Sequence, residues 1–280
     1  MDAIIERPRA KDLNRLKWQK RVEESGVVKA MDLINDIAEA IASGRVRDAH
    51  ILTGVRGIGK TRAFKEALGR HKRVPLVIKQ ATTLGLLQNL QEAARNKQIA
   101  LLDDADSAWD SLEKIHALMV ACQPEKEGRR IYAYSVNNKT THYCFDGLTL
   151  VMLSNINLKD TANVPKKCRE AIKALTSRVP PINLALTHQD VYEYTVYLAI
   201  CREMLKVEAF TLEESNDALA FFSANRWRMD DISVRKLLHI ARVRRKYADK
   251  DWQFRLKMEL DDPVAGATHD SDDEIPQIVI

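Results

Sequence analysis

The stretch GVRGIGKT, residues 54–61, decides how the rest of the chain is read. Glycines stand at positions 54, 57 and 59, followed by Lys60 and Thr61, so the stretch fits G-x-x-x-x-G-K-[ST]. Glycines at that spacing let the backbone curl until several N–H groups point at one spot. An apolar run, His50–Thr53, precedes the loop, and a helical pattern follows it to about Gly69. A helix opening at the loop adds its partial positive charge to the same spot. We therefore expect a nucleotide-binding loop made of Gly54, Arg56, Gly57, Ile58, Gly59, Lys60, Thr61 and Arg62. Lys60 would reach the β- and γ-phosphates of ATP, and Thr61 the magnesium ion. A glycine-rich turn without a ligand gives no reason for Lys60-Thr61.

A magnesium nucleotide also needs a carboxylate at the end of a neighbouring strand. QIALLDDADS, residues 98–107, supplies it: apolar Ile99–Leu102, then Asp103 and Asp104. Asp103 is the expected metal-side residue, acting through water, and Asp104 the one that polarises the attacking water, with Asp106 as its alternate. Taken alone, the pair also reads as a solvated acidic loop. A later apolar run ends LVMLSNIN (150–157), where Asn155 can orient a water against the γ-phosphate. Ser154 and Asn157 are the neighbours with which it is confused, and a turn-forming asparagine is the plain reading. In ALTSRVPP (174–181), Arg178 closes a helix before the last strand. It either answers the helix dipole or serves as a finger in a neighbouring subunit's site.

Around these motifs the chain organises as follows. Val27–Ser43 is helical, with Met31, Ile34, Ala38 and Ile41 on one face. Strands are predicted over His50–Thr53, Pro75–Gln80, Gln98–Leu102, Leu148–Ser154 and Ile182–Leu186, and helices over Thr83–Asn96 and Ser107–Cys122. Arg129–Phe145 alternates and is rich in Tyr, Val and Thr, with Asn137-Asn138-Lys139 at its middle, which predicts a hairpin. Strands alternating with helices predict an α/β fold with a parallel sheet covered on both faces. From Gln189 the pattern is helical alone; Thr211 and Glu214 form a capping box, and Val234, Leu237, Leu238 and Ala241 share a helix face. The expected divisions are an N-terminal helical segment (1–48), the α/β domain (49–188), a helical lid (189–258) and a disordered acidic tail (259–280).

Composition narrows the rest. An apolar fraction of 45% supports a true core, and no apolar run is long enough to span a bilayer. Charges in MDAIIERPRAKDL (1–13) oppose a secretion signal, so a cytoplasmic location is expected. The four cysteines form no CxxC pair and are read as free thiols. Net charge is +5, but residues 261–280 hold six acidic side chains and no Lys or Arg, leaving +11 on the remainder. A basic body favours a polyanionic partner.

The order of these parts resembles an AAA+ ATPase over about residues 30–247: phosphate loop (Gly54–Thr61), double carboxylate (Asp103-Asp104), strand-terminal Asn155, Arg178 before the fifth strand, and a helical stretch with DISVRKLL (231–238). The layout looks similar to compact AAA+ proteins of bacteriophages, which would place it in the bacterial host's cytoplasm. The resemblance implies a five-strand P-loop core with a lid, ring or spiral homo-oligomers (hexamers foremost), and ATP sites between subunits. It also implies Asn155 as first sensor, Arg178 as arginine finger and Arg235 as the lid's sensor arginine. Most AAA+ proteins have Asp-Glu where this chain has Asp103-Asp104. Two acidic residues there, a Ser-Asn after the later strand and a hairpin before it are similar to viral superfamily 3 helicases, but the lid is not.

Two kinds of work remain open. A nucleic-acid motor, loader or DNA-assembled switch is favoured by the basic body, by Lys139 and His142 near the hairpin tip, and by a stripe of Arg235, His239, Arg242 and Lys246 at helical spacing, with Arg244-Arg245 nearby. A solvated helix face is the plain reading of that stripe. A protein-remodelling chaperone is the alternative; the pore loop of unfoldases in this superfamily often carries an aromatic, and KQATTLGL (79–86) has none. The tail DSDDEIPQIVI (270–280), acidic then apolar, is somewhat like the ending of bacterial single-stranded-DNA-binding proteins and is a candidate protein-docking segment.

Overall fold

The structure, a computed structural model, describes residues 10–45, 49–123, 129–248, 251–260 and 278. Contacts divide the chain into two compact units: Ala30–Val55 with Gly59–Ala185, and the remainder, namely residues up to Lys29, Arg56–Ile58 and Leu186 onward.

The first unit is built on apolar runs that must be buried on both faces. Strands β1 (His50–Gly54), β2 (Leu76–Ile78), β3 (Ile99–Leu102), β6 (Thr149–Ser154) and β7 (Ile182–Leu184) form one sheet in the order β2-β3-β6-β1-β7. Every pairing in it is parallel, as crossover helices require. These helices are α3 (Lys60–Arg70), α4 (Thr83–Arg95), α5 (Leu112–Ala121) and α6 (Arg169–Arg178). In α4, Leu86, Leu87, Leu90, Ala93 and Ala94 are buried, and the Thr82 hydroxyl caps the first turn by accepting from Gly85 N at 3.1 Å. Each fully buried leucine contributes ~1.5–3 kcal/mol.

The helix expected over Ser107–Cys122 is interrupted. Ala105–Ala108 is a 3₁₀ turn, and α5 starts only after Ser111, whose hydroxyl accepts from Lys114 N. The turn buries the Trp109 ring, whose Nε1 donates to Ser154 Oγ at 3.1 Å. The hairpin forms from β4 (Ile131–Val136) and β5 (Lys139–Cys144) as a separate antiparallel pair. Its two-residue turn is Asn137-Asn138, at φ 49° and 61°, a left-handed conformation that asparagine tolerates and that matches strand twist.

The second unit is helical. Helix α1 (Ala10–Glu24) packs on α7 (His188–Ile200), with the rings of Trp18 and Tyr192 edge-on at 6.2 Å. Tyr192 stacks in turn on Phe222 of α9 (Leu212–Ala224) at 5.9 Å, and its hydroxyl donates to Ser223 Oγ at 3.0 Å. Helices α8 (Met204–Val207), α10 (Val234–Lys246) and α11 (Trp252–Lys257) complete the unit. The chain leaves it for the sheet unit within α2 (Gly26–Ala42), between Lys29 and Ala30. Helix α1 thus clusters with the C-terminal helices, and α2 from Ala30 onward with the sheet. The predicted disordered tail lies outside the described residues, apart from Glu259, Leu260 and Ile278. All four cysteines are free. Among the described residues no helix is long and apolar enough to cross a membrane.

Candidate nucleotide-binding site

The C-terminal ends of β1, β3 and β6 carry the residues that the sequence singled out. Strand β1 ends at Gly54, where a Cβ would lie 2.9 Å from Leu184 Cβ, so glycine lets β1 pair closely with β7. Gly59 caps α3 in the left-handed region (φ 82°) and, being glycine, makes no side-chain cap bond of its own. The eleven-residue helix therefore opens directly at the loop, with the positive end of its dipole there. Gly57 is also left-handed (φ 78°), and a Cβ on it would fall 2.2 Å from Ser233 Cβ. Ser233 is fully buried and caps α10, and both residues belong to the helical unit. Ile58 is buried and Arg56 exposed, while Arg62 reaches Glu66 at 2.7 Å along α3.

Lys60 is 7% exposed, and its ammonium donates to Gly54 O (2.7 Å), Val55 O (2.9 Å) and Asn155 Oδ1 (2.9 Å). Thr61 Oγ1 donates to Asp103 Oδ1 at 2.5 Å, joining the loop to the end of β3. A hydroxyl and one carboxylate suit magnesium, which keeps most of its waters. Among the described residues no cluster of three His, Cys, Asp or Glu forms a metal cage.

Asn155 has its other end engaged as well: Nδ2 donates to Asp106 Oδ2 at 3.0 Å and to Asp104 Oδ1 at 3.3 Å. Asp106 also accepts from Asn155 N (2.9 Å) and Ser154 Oγ (2.6 Å). Burial pushes the Asp106 carboxyl up, but these donors outweigh it and hold the group below its ordinary range. Asp106 therefore sets the asparagine that faces Lys60. Sequence reasoning named it only as an alternate to Asp104, because its contacts depend on the 3₁₀ turn at Ala105–Ala108. Asp104 itself is exposed and left-handed (φ 55°).

The remaining candidates lie on helices α6 and α10. Arg178 is exposed in the last turn of α6 and, among the described residues, makes no salt bridge. Its charge lies near Cys122, whose thiol burial raises to about 12. Arg235 is exposed in the first turn of α10, two residues past Ser233. Beside the helix stripe, Arg244 meets Asp217 (2.6 Å) and Glu213 (3.0 Å) and Arg245 meets Glu214 (2.9 Å); within it, His239 bonds Glu259 (2.9 Å). On the hairpin, the register Ala133↔His142 and Val136↔Lys139 puts the two tip residues on opposite faces, Lys139 sharing the face of Tyr132 and Tyr143.

No family model matches the chain. It is similar to a protein of Enterobacteria phage T4, "Uncharacterized 36.7 kDa protein in nrdC-mobD intergenic region", at 22% identity over 223 residues, covering 76% of this chain and 68% of that protein.

Proposed function

We propose that the sheet unit binds and hydrolyses ATP, as part of an oligomeric machine of the AAA+ kind that works on nucleic acid. One observation carries the reading: the Lys60 ammonium, the Asn155 amide and the Thr61–Asp103 pair converge where β1, β3 and β6 end. That is the crevice in which open parallel sheets bind ligands. Loop N–H groups and Lys60 would hold the β- and γ-phosphates. Thr61 and Asp103 would hold magnesium, which supplies neutralisation of phosphate charge. A water oxygen then bonds the γ-phosphorus as the bond to the bridging oxygen breaks. Asn155 orients that water and Asp104 takes its proton. Arg178, exposed at its helix end, would reach a neighbouring subunit's γ-phosphate, and Arg235 would act as the lid's sensor. The phage origin of the similar protein agrees with a phage protein working in the host cytoplasm.

The test is magnesium-ATP binding by Lys60→Ala, followed by turnover of the parent protein with and without single-stranded and duplex DNA. The variant should lose most of its affinity, and the parent should be stimulated by DNA. Affinity equal to the parent's overturns the site. Turnover that ignores DNA but rises with a protein client moves the work to protein remodelling.

A further inference from the structure

We infer that the helical unit carries a docking groove for an extended apolar peptide, and that its occupant is the C-terminal segment of this same chain. The groove is independent of the nucleotide site. It is a cavity of about 260 Å³ lined by Arg15, Ile200, Lys206, Phe210, Leu212 and Ser215 among others, with Ile278 forming part of its wall. Ile278 is held there by its main chain. Its N–H donates to Asn216 Oδ1 at 2.7 Å, and its carbonyl accepts from Asn216 Nδ2 at 3.3 Å. A carboxamide that takes both main-chain groups of one residue does what a neighbouring β-strand does, reading an extended peptide whatever its side chains are. Selectivity then falls to the apolar cavity, where Phe210 and Leu212 stand ready for aliphatic side chains.

The sequence around Ile278 suits this groove. Residues 275–280, IPQIVI, are apolar apart from Gln277 and follow an acidic run, DSDDE. At the rim, Arg15 and Lys206 both reach Glu203, two cations against one carboxylate, which leaves positive charge to face that run. The chain's end thus has the main-chain anchor, the apolar side chains and the opposite charge that the groove asks for.

The experiment uses the full chain, a chain ending at Asp273, and a fluorescein-labelled peptide of residues 274–280, EIPQIVI, followed by fluorescence polarisation. The shortened chain should bind the peptide saturably. The full chain should bind it at least tenfold more weakly, because its own tethered copy competes at an effective concentration on the order of millimolar. In the shortened chain, Asn216→Leu should weaken binding about tenfold with unchanged circular dichroism. A peptide carrying Ile278→Asp tests the apolar cavity instead of the main-chain pair, on the shortened chain without other substitution, and should not bind. The inference is overturned if the shortened chain fails to bind, if the full chain binds equally well, or if neither substitution weakens the complex.

Discussion

Two aspartates, one in each unit, use the same physical device for different ends. Asp106 accepts from Ser154 Oγ, Asn155 N and Asn155 Nδ2; Asp190 accepts from Thr187 N, Thr187 Oγ1 and Gly26 N. In both, burial pushes the carboxyl up and the donors overcome it, so both sit below the ordinary range. The difference lies one bond further out. Among Asp106's donors is the amide whose other end meets Lys60. Asp190's donors are a capping box and the first N–H of α2, which fix helix ends and nothing beyond. What a half-buried carboxylate does is decided by what its donors touch next, so Asp106 should govern rate and Asp190 stability.

The largest separation of rate from stability is expected at Arg178, which no intramolecular salt bridge employs among the described residues. Arg178→Ala should fold, oligomerise and bind ATP, yet lose on the order of 10³-fold in turnover, as other arginine-finger losses do. Mixed with Lys60→Ala, it should recover some hydrolysis at interfaces that pair an intact loop with an intact arginine. A flat rate at every mixing ratio, with subunit exchange shown separately, removes the finger role and with it the intersubunit site.

Asp106→Asn comes next. The substituted amide can turn only one oxygen toward three donors, so Asn155 loses its fixed orientation. Misplacement of a positioning group costs up to about 10²-fold. We expect kcat to fall ten- to hundredfold while KM for ATP and the melting temperature stay near the parent's. Equal loss from Asp104→Asn is expected through proton acceptance. A fall in melting temperature without a fall in kcat would make Asp106 a structural twin of Asp190 and end the contrast.

The shape of the loop at 54–61 was legible because its demands are local: left-handed positions at 57 and 59 call for glycine. The parallel sheet was legible from apolar runs that only burial on two faces explains. Asp106 was not, because its donors come from a strand 48 residues away and meet it through a turn that the helical periodicity concealed. Nor was the grouping of α1 with α7, which depends on Trp18 finding Tyr192 across the length of the chain. The partners of two arginines beside the basic stripe were hidden for the same reason. Arg244 and Arg245 look free in sequence, yet the packing of α9 on α10 delivers Asp217, Glu213 and Glu214 to them.

Asp190→Asn sharpens the comparison from the other side. Replacing the carboxylate, which accepts from three donors, by an amide with a single oxygen should cost ~0.5–2 kcal/mol of stability and leave turnover per folded molecule unchanged. The sign with pH follows from the depressed carboxyl. Its stabilisation is fully present above the unfolded value of about 3.9 and is lost as pH falls through the folded value. Denaturant midpoints of parent and variant should therefore differ at pH 7 and converge below about pH 4. A difference that persists in acid would assign the effect to packing of the α7 start rather than to charge.

The smallest effect is expected at the hairpin, where polar side chains serve neither end. Lys139 and His142 are exposed, so their loss should leave stability and basal turnover untouched. If the hairpin meets nucleic acid, the two must act separately, since the register places them on opposite faces. Lys139→Ala removes a full charge and should lower the salt slope of DNA binding by about 0.9 for the one phosphate it neutralises. His142→Ala tests the opposite face by the same measurement. The measurement is DNA affinity at several salt concentrations for each single variant and the pair. Slopes that match the parent's in all three would mean that the hairpin presents its tip to protein or to water. The positive charge that the sequence offers to nucleic acid would then have to be sought elsewhere on the chain.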